Sequence, residues 1–294
     1  MTSLKDRQRA AARQRLEREM AERVEHARER RKKTLTALGA VVGVVVVVGA
    51  IIAIVNAVGG DDKKTTTGAP ASVAPVNCTW APNPNPTASP KPAANPDLKK
   101  TGTPPTTVSP ATGTRDMVMD TSQGKISIAL DVTNAPCASE SFAYLAGKKY
   151  FDNTTCHRLT TNGIYVLQCG DPTGSGRGGP SYTFGHENLP TDKRPTYARG
   201  VVAMANPGDQ DANGSQFFIV YQDVPMQQDP STGQETSVLP ADYTVIGTVT
   251  SGMDVVDKIA AGGVDAKNKK SSSATDGVPK LPVNIKTVTV GATQ

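Results

Sequence analysis

Hydrophobic and polar residues alternate in short runs from Arg115 to the C-terminus. Such alternation predicts half-buried β-strands, here over 117–119, 125–130, 156–159, 164–168, 201–204, 216–221, 243–249 and 285–290. Two segments have helical spacing instead, one opened by Pro136 and closed by Gly147 and the other over 253–261. The pattern predicts a mainly β domain, a closed antiparallel eight-stranded β-barrel capped by two α-helices.

A different pattern occupies residues 34–60, where 27 consecutive positions carry no charged side chain. A bilayer core requires about 20 apolar residues as a helix, so this run predicts a single transmembrane anchor. Arg30, Arg31, Lys32 and Lys33 precede the run, which predicts a cytoplasmic N-terminus and an extracytoplasmic C-terminal domain in the cell membrane. The alternative is a cleaved signal peptide, because Val-Asn-Ala at 55–57 resembles a cleavage site.

The flanks of the anchor differ in composition from each other and from the domain. Residues 1–33 mix Arg, Glu, Ala and Gln without Gly or Pro, which predicts a charged, helical cytoplasmic tail. Residues 61–114 hold 11 of the chain's 22 prolines, which predicts a disordered Pro/Thr-rich linker. The folded domain is therefore expected at 115–294.

The net charge of +5 is distributed unevenly along the chain. Residues 1–33 carry 12 basic and 6 acidic residues, whereas residues 115–294 carry 15 basic and 18 acidic residues. A nucleic-acid-binding domain concentrates positive charge on its folded face, so no nucleic-acid partner is expected.

The four cysteines are Cys78, Cys137, Cys156 and Cys169. Disulfides are plausible in an exported domain, and the sequence leaves all three pairings open. The chain has no Cys-x-x-Cys motif, and His157 is the only histidine beside a cysteine. We therefore expect neither a metal site nor a cofactor.

Residues 205–218 run from a loop rich in Gly, Asn and Asp into an apolar strand that contains two adjacent phenylalanines. About fifty residues upstream, Arg158 lies in a strand-like Cys-His-Arg-Leu segment. An arginine, an apolar strand and polar loop edges can together hold a peptide while one bond rotates. The sequence offers no paired carboxylates, no serine–histidine pattern and no thiol–histidine pair, which argues against a hydrolase.

The motif Ala-Asn…Asn-Gly-Ser-Gln-Phe-Phe-Ile at 205–219 resembles the cyclophilins, which are peptidyl-prolyl cis-trans isomerases. Segments 156–159, 168–171 and 242–247 resemble further cyclophilin motifs, and the anchored architecture is similar to membrane-attached extracytoplasmic cyclophilins of Gram-positive bacteria. The resemblance implies that Arg158 is the catalytic arginine. It implies that the substrate is bound by Tyr165, Val166, Gln168, Ala205, Asn206, Gln216, Phe218, Leu239 and Tyr243.

The implied partners are proline-containing polypeptides, and the implied reaction is rotation of X-Pro peptide bonds during the folding of exported proteins. Amide resonance opposes this rotation with a barrier of about 18–20 kcal/mol. No bond is broken, so no nucleophile is needed. One alternative is a proline-peptide binding or chaperone module with little turnover. Another is an adhesion or scaffold role for a stalked surface domain.

Overall fold

A computed structural model describes residues 74–83, 95–109, 111–207, 212–229 and 233–294. These residues belong to one compact unit, Ala71–Gln294. The expected cytoplasmic tail at 1–33 and the expected anchor at 34–60 lie outside the described residues. Within the described ranges, no helix combines the length and the apolar character needed to cross a bilayer.

The described residues form 18 strands and two helices. The helices are α1 (Pro136–Gly147) and α2 (Met253–Gly262). The strands before α1 are β1 (Val76–Asn77), β2 (Ala81–Pro82), β3 (Leu98–Lys99), β4 (Thr107–Val108), β5 (Thr114–Thr121) and β6 (Gly124–Asp131). The strands between the helices are β7 (Thr154–Thr155), β8 (Arg158–Thr160), β9 (Val166–Cys169), β10 (Gly179–Pro180), β11 (Tyr182–Thr183), β12 (Val201–Met204), β13 (Phe217–Val220), β14 (Met226–Gln228), β15 (Glu235–Ser237) and β16 (Val245–Ser251). The last two strands are β17 (Asp276–Gly277) and β18 (Asn284–Thr293).

The main sheet of the described region has ten strands in the order β17-β8-β9-β13-β12-β16-β6-β5-β18-β7. Neighbouring strands are antiparallel throughout, so the mainly β prediction with two helices is confirmed. The closed eight-stranded barrel is wrong, because the sheet curls into a half-barrel whose ends do not meet. The end strands β7 and β17 are two residues long, and within the described sheet each pairs along one edge only.

The core lies between this sheet and the two helices. Helix α1 buries Phe142 and Leu145 against the sheet, and α2 buries Val256 and Ile259. The residue before α1, Ala135, has no side chain that can cap the helix. The carboxylate of Glu187 takes this role and accepts hydrogen bonds from the backbone amides of Cys137 and Ala138 in the first turn. Burial raises the pKa of Glu187, although these two hydrogen bonds lower it in part.

Residues 74–83 and 95–109, here called the N-terminal segment, pack on the domain instead of forming part of a disordered linker. Strand β1 pairs with β4, β2 pairs with β11, and β3 pairs with β10. A disulfide joins Cys78 to Cys137 in α1, and the ring of Trp80 contacts Tyr182 and Phe184 edge-on at 5.4 and 5.6 Å. The disulfide and the Trp80 contacts hold a segment that its proline-rich composition predicted to be disordered. The folded unit therefore begins well before residue 115.

The second disulfide joins Cys156, two residues before β8, to Cys169 at the end of β9. All four cysteines lie in described residues, and none of them is free. Of the three pairings that the sequence left open, the chain adopts 78–137 and 156–169.

Candidate active site

Arg158 begins β8 and is fixed by two partners. Its Nε and Nη2 donate to Oδ1 and Oδ2 of Asp276 at 2.7 and 2.8 Å. Its Nη1 donates to Oε1 of Gln168 at 3.1 Å. The ion pair with Asp276 raises the pKa of Arg158, and the side chain remains 38% exposed. The guanidinium is therefore permanently charged, oriented and accessible to a ligand.

A relay of side-chain amides continues from Gln168. Its Nε2 donates to Oε1 of Gln216 at 2.9 Å, and Nε2 of Gln216 donates to the carbonyls of Gly176 and Gly178 at 3.1 and 3.0 Å. Each hydrogen bond in this relay determines the orientation of the next side-chain amide. The relay therefore presents the oxygen of Gln168, rather than its nitrogen, to Arg158.

The loop that accepts the relay is folded around the buried side chain of Asp171. This carboxylate accepts hydrogen bonds from the backbone amides of Thr173, Gly176 and Gly178 at 2.7, 2.6 and 3.1 Å. Burial raises the pKa of Asp171, but the hydrogen bonds from Thr173 and Gly178 outweigh burial and lower it below its ordinary value. A Cβ at position 178 would collide with the Asp171 carboxylate, so glycine is required there.

Beside this network lies a hydrophobic cluster, here called the apolar pocket. Val166, Phe218 and Leu239 are buried in it, and Tyr243 packs its ring edge-on against Phe218 at 5.7 Å. The described members of the apolar pocket, with the partly buried ones last, are Val166, Tyr197, Ala203, Phe218, Val220, Val224, Leu239, Ile164, Val201, Ala205, Val238, Tyr243 and Val245. The structure thus groups five of the predicted binding residues: Val166, Ala205, Phe218, Leu239 and Tyr243.

The arginine and the apolar pocket share one face of the sheet. Arg158 is paired with Gln168 across β8 and β9, and Gln168 is paired with Phe218 across β9 and β13. Residues directly opposite each other on neighbouring strands project to the same side of a sheet. The side chains of Arg158, Gln168 and Phe218 therefore lie in a row on one face of the sheet, with the guanidinium at one end and the phenyl ring at the other.

Tyr165 is the predicted binding residue that the structure places elsewhere. Its ring packs edge-on against Tyr221 at 5.9 Å and lines a shallow cavity of about 830 Å³ with Arg199 and Asp257. Successive side chains of an extended segment point to opposite faces, so Tyr165 faces away from the side that Val166 occupies. Ile164 packs against the apolar pocket instead. The alternation over 164–168 already indicated that Tyr165 and Val166 point to opposite faces, but the predicted set of binding residues included both.

Ala205 and Asn206 lie just after β12. The Ala205 amide donates to the Gln216 carbonyl at 2.9 Å, which holds the loop edge against β13. Asn206 Nδ2 lies 3.3 Å from both the Nε2 of His186 and the Oδ1 of Asn213. Asn213 is fully buried, and its own amide donates to the Gly185 carbonyl at 2.9 Å, so it is a structural residue of this loop.

A cavity of about 400 Å³ adjoins this edge and is lined by Gln168, Ala205, Asn206 and Gln216. Three residues of the N-terminal segment also line it, namely Asn83, Asn95 and Leu98. The sequence analysis missed these three residues and Asp276. No periodic pattern marks them, and each of the contacts that hold Asn83, Asn95 and Asp276 spans more than 80 positions of the chain.

The fold and this site define a cyclophilin-type domain, and comparison with known proteins agrees. The family described as "Cyclophilin type peptidyl-prolyl cis-trans isomerase/CLD" matches residues 116–290, so the chain belongs to that family. The predicted resemblance is thereby confirmed.

Relatives and a solved structure were also found. Over 225 residues, 72% of this chain, it is 41% identical to a probable peptidyl-prolyl cis-trans isomerase B of Mycobacterium leprae and 39% identical to one of Mycobacterium tuberculosis H37Rv. The matched region covers 66% and 63% of the length of these two relatives. A crystal structure of a cyclophilin type peptidyl-prolyl cis-trans isomerase of Cryptosporidium parvum aligns over 62% of this chain and 99% of its own, at 26% identity and a TM-score of 0.47.

Proposed function

We propose that this chain is an active peptidyl-prolyl cis-trans isomerase that rotates X-Pro bonds in polypeptides. The observation that carries the proposal is the row formed by Arg158, Gln168 and Phe218. A proline ring in the apolar pocket brings the imide bond before it to the side of the sheet on which the guanidinium lies.

Arg158 favours the twisted state of that bond. Twisting breaks the amide resonance and returns a lone pair to the prolyl nitrogen, which a positive donor stabilises. A guanidinium has five N–H donors, of which Asp276 and Gln168 take three within the described region. The other two, one on Nη1 and one on Nη2, point away from these partners and can donate to the substrate. Each tenfold gain in rate needs about 1.4 kcal/mol of preference for the transition state.

The remaining residues hold the polypeptide. Phe218, Leu239, Val166 and Ile164 enclose the ring, and the polar edge at Gln168, Gln216, Ala205 and Asn206 borders the flanking chain. Tyr243 closes the apolar pocket beside Phe218. Tyr165 is left out of the proposed site, because its ring lines the cavity beside Arg199.

The test is the isomerisation rate of a short Ala-Pro peptide with the Arg158→Ala variant. Loss of one preorganised donor at a transition state costs about a hundredfold in rate. The matched control is Arg199→Ala, which removes another arginine held by two carboxylate contacts, with Asp257 at 2.6 and 2.7 Å. We expect the control to keep wild-type turnover. Turnover within tenfold of wild type in a folded Arg158→Ala variant would refute the mechanism. Normal peptide binding without turnover in the wild type would favour a binding or chaperone module instead.

We further propose that the domain is held outside the cell membrane by residues 34–60 and assists the folding of exported proteins. The uncharged run and its basic N-terminal flank support this arrangement. The two disulfides support it too, because disulfides persist in oxidising compartments outside the cytoplasm. Protease treatment of intact cells is the test. If the domain resists the protease until the membrane is disrupted, it lies inside the cell and the proposal is wrong.

A further inference from the structure

One side of the apolar pocket is formed by the loop between β15 and β16, residues 238–244, here called the pocket loop. It carries Leu239 and Tyr243, two of the residues that we propose to hold the substrate proline. All residues of the pocket loop are described, and none of them belongs to a strand. The position of Leu239 and Tyr243 therefore depends on individual contacts of the loop rather than on strand pairing.

Three backbone groups of the pocket loop meet at the hydroxyl of Tyr197, which lies four residues before β12 and is fully buried. The hydroxyl oxygen lies 3.1 Å from the Pro240 carbonyl oxygen and 3.2 Å from the Tyr243 carbonyl oxygen, and these two acceptors share its one proton. The backbone amide of Tyr243 donates to the same oxygen at 3.0 Å. One buried atom thus ties Pro240 and Tyr243 together and fixes both to the body of the domain.

The ring of Tyr197 fixes the pocket loop relative to β13. It packs edge-on against Phe218 at 6.1 Å and against Tyr243 at 6.3 Å, and the latter two rings contact each other at 5.7 Å. Phe218 is held by the pairing of β13 with β9 and β12, whereas Tyr243 is held through the Tyr197 hydroxyl. The distance between the strand side and the loop side of the apolar pocket is therefore set by Tyr197.

The hydroxyl is a neutral donor and acceptor. Burial raises the pKa of Tyr197, and the hydrogen bond with the Tyr243 backbone lowers it only in part, so the phenol keeps its proton at physiological pH. Since Tyr197 is fully buried, a bound proline ring contacts Leu239, Phe218 and Tyr243 instead. Any influence of Tyr197 on the substrate must act through these neighbours.

We propose that Tyr197 is a positioning residue, and that its hydroxyl sets the width of the proline pocket by fastening the pocket loop. This inference rests on the proposed isomerase function for its kinetic consequence. The effect on peptide binding needs no turnover. The two ideas can therefore fail separately.

The experiment uses the full chain, the Tyr197→Phe variant and a short Ala-Pro peptide. The pocket encloses the proline ring before and during rotation, so a looser pocket loop weakens the ground state and the transition state alike. We therefore expect KM to rise about five- to tenfold while kcat stays within about twofold of wild type. The Kd of the peptide, measured by NMR titration, should rise by the same factor.

Ring size gives a second readout. Replacing proline by pipecolate adds one methylene to the substrate ring, and a pocket of fixed width discriminates against it by about tenfold or more. Tyr197→Phe should lose most of this discrimination.

The matched control is Tyr182→Phe. Tyr182 is also fully buried, and its hydroxyl is hydrogen-bonded to Ser141 Oγ at 2.7 Å, away from the apolar pocket. Both variants lose a buried hydrogen bond, so urea denaturation should show a loss of stability in each. Only Tyr197→Phe should raise KM, and only there should hydrogen exchange of the Tyr243 amide become faster.

A second variant, Pro240→Gly, loosens the pocket loop at an exposed position while the Tyr197 hydroxyl is present. It should also raise KM and keep kcat. If Tyr197→Phe does not fold, a wild-type KM in Pro240→Gly overturns the proposal.

Three results with folded Tyr197→Phe would also overturn it. They are a KM within about twofold of wild type, a fall in kcat without a rise in KM, and an equal rise in KM for Tyr182→Phe. If Tyr197→Phe raises the Kd while the wild type shows no turnover, the positioning role stands and the isomerase function fails.

Discussion

The two sides of the proposed substrate groove are built by different means. The apolar pocket is built on strands that are far apart in sequence, such as β9 and β13, which pair with each other. Its residues Val166, Phe218 and Leu239 are each at most 9% exposed. The N-terminal segment contributes two-residue strands, a disulfide and one partly buried tryptophan. One wall is therefore stabilised by packing, and the other by a few cross-links between otherwise polar segments.

This difference separates two functions of the groove. A substitution in the apolar pocket disturbs the core and the ring-binding surface together. A substitution in the N-terminal segment can alter one wall while leaving the row from Arg158 to Phe218 intact. The N-terminal segment can therefore be varied without changing the residues that we propose to carry isomerisation.

The largest expected effect compares the main core under β13, the strand that also carries Phe218 of the apolar pocket, with the N-terminal segment. Phe217 is 1% exposed and contacts Phe142 edge-on at 5.5 Å, so Phe217→Ala should lower the free energy of unfolding by about 3–5 kcal/mol. Trp80→Ala should cost about half as much, because Trp80 is only partly buried against the core. Urea denaturation measures both. Equal losses would show that the N-terminal segment is as much a part of the core as β13.

The next effect concerns the disulfide of the N-terminal segment. Replacing Cys78 and Cys137 together by alanine removes a cross-link over 59 positions and should cost about 2–4 kcal/mol. Amide hydrogen exchange should rise over 74–83 and 95–109. Turnover of a short Ala-Pro peptide should persist, because the row from Arg158 to Phe218 contains no residue of the N-terminal segment.

The control for that experiment is the paired replacement of Cys156 and Cys169. Their disulfide joins the segment just before β8 to the end of β9, beside Arg158 and Gln168, so its loss should slow turnover of a short Ala-Pro peptide. If the two paired replacements slowed turnover to the same extent, the separation of the two walls would be refuted.

The elements that carry the apolar pocket were predicted well from the sequence, because buried strands and helices leave a periodic pattern of apolar residues. The apolar run at β13, the alternation over β5 and β6 and the proline that opens α1 all mark elements that the structure contains. The resemblance then led to Arg158, Val166, Phe218 and Leu239, which the structure brings to one region. Tyr165 lies elsewhere, because side-chain direction changes with each residue along a strand.

The cross-linked wall could not be predicted in the same way. Composition measures average burial, and the 11 prolines in residues 61–114 predicted too little apolar surface for a folded segment. A single disulfide and the Trp80 contacts with Tyr182 and Phe184 provide order that an average does not register. Asp276 was missed because it lies in a polar segment 118 positions from Arg158.

A smaller effect tests how firmly the catalytic wall is fixed. Asp276→Asn preserves the shape of the residue but removes the charge that holds Arg158 at 2.7 and 2.8 Å. A partly exposed pair contributes up to about 1 kcal/mol, so we expect a three- to fivefold loss in kcat/KM with little change in stability. Asp257→Asn removes a similar pair with Arg199, away from the site, and should leave kcat/KM unchanged. An identical loss in both variants would indicate a general electrostatic effect.

The smallest effect concerns His157, which lines one cavity with Arg158 and Gln168 and another with Gly174 and Lys270. Burial lowers the pKa of His157 below its ordinary value of 6.5, and neither ring nitrogen has a hydrogen-bond partner among the described residues. The unfolded chain therefore takes up this proton at a higher pH than the folded chain does, so stability should be lost as the pH falls from about 6.5 through the folded-state pKa. The slope cannot exceed about 1.4 kcal/mol per pH unit for one proton. Urea denaturation between pH 7 and 5 should show this loss in the wild type and a shallower one in His157→Asn. Equal slopes in the two proteins would mean that the pKa of His157 is the same in the folded and the unfolded chain.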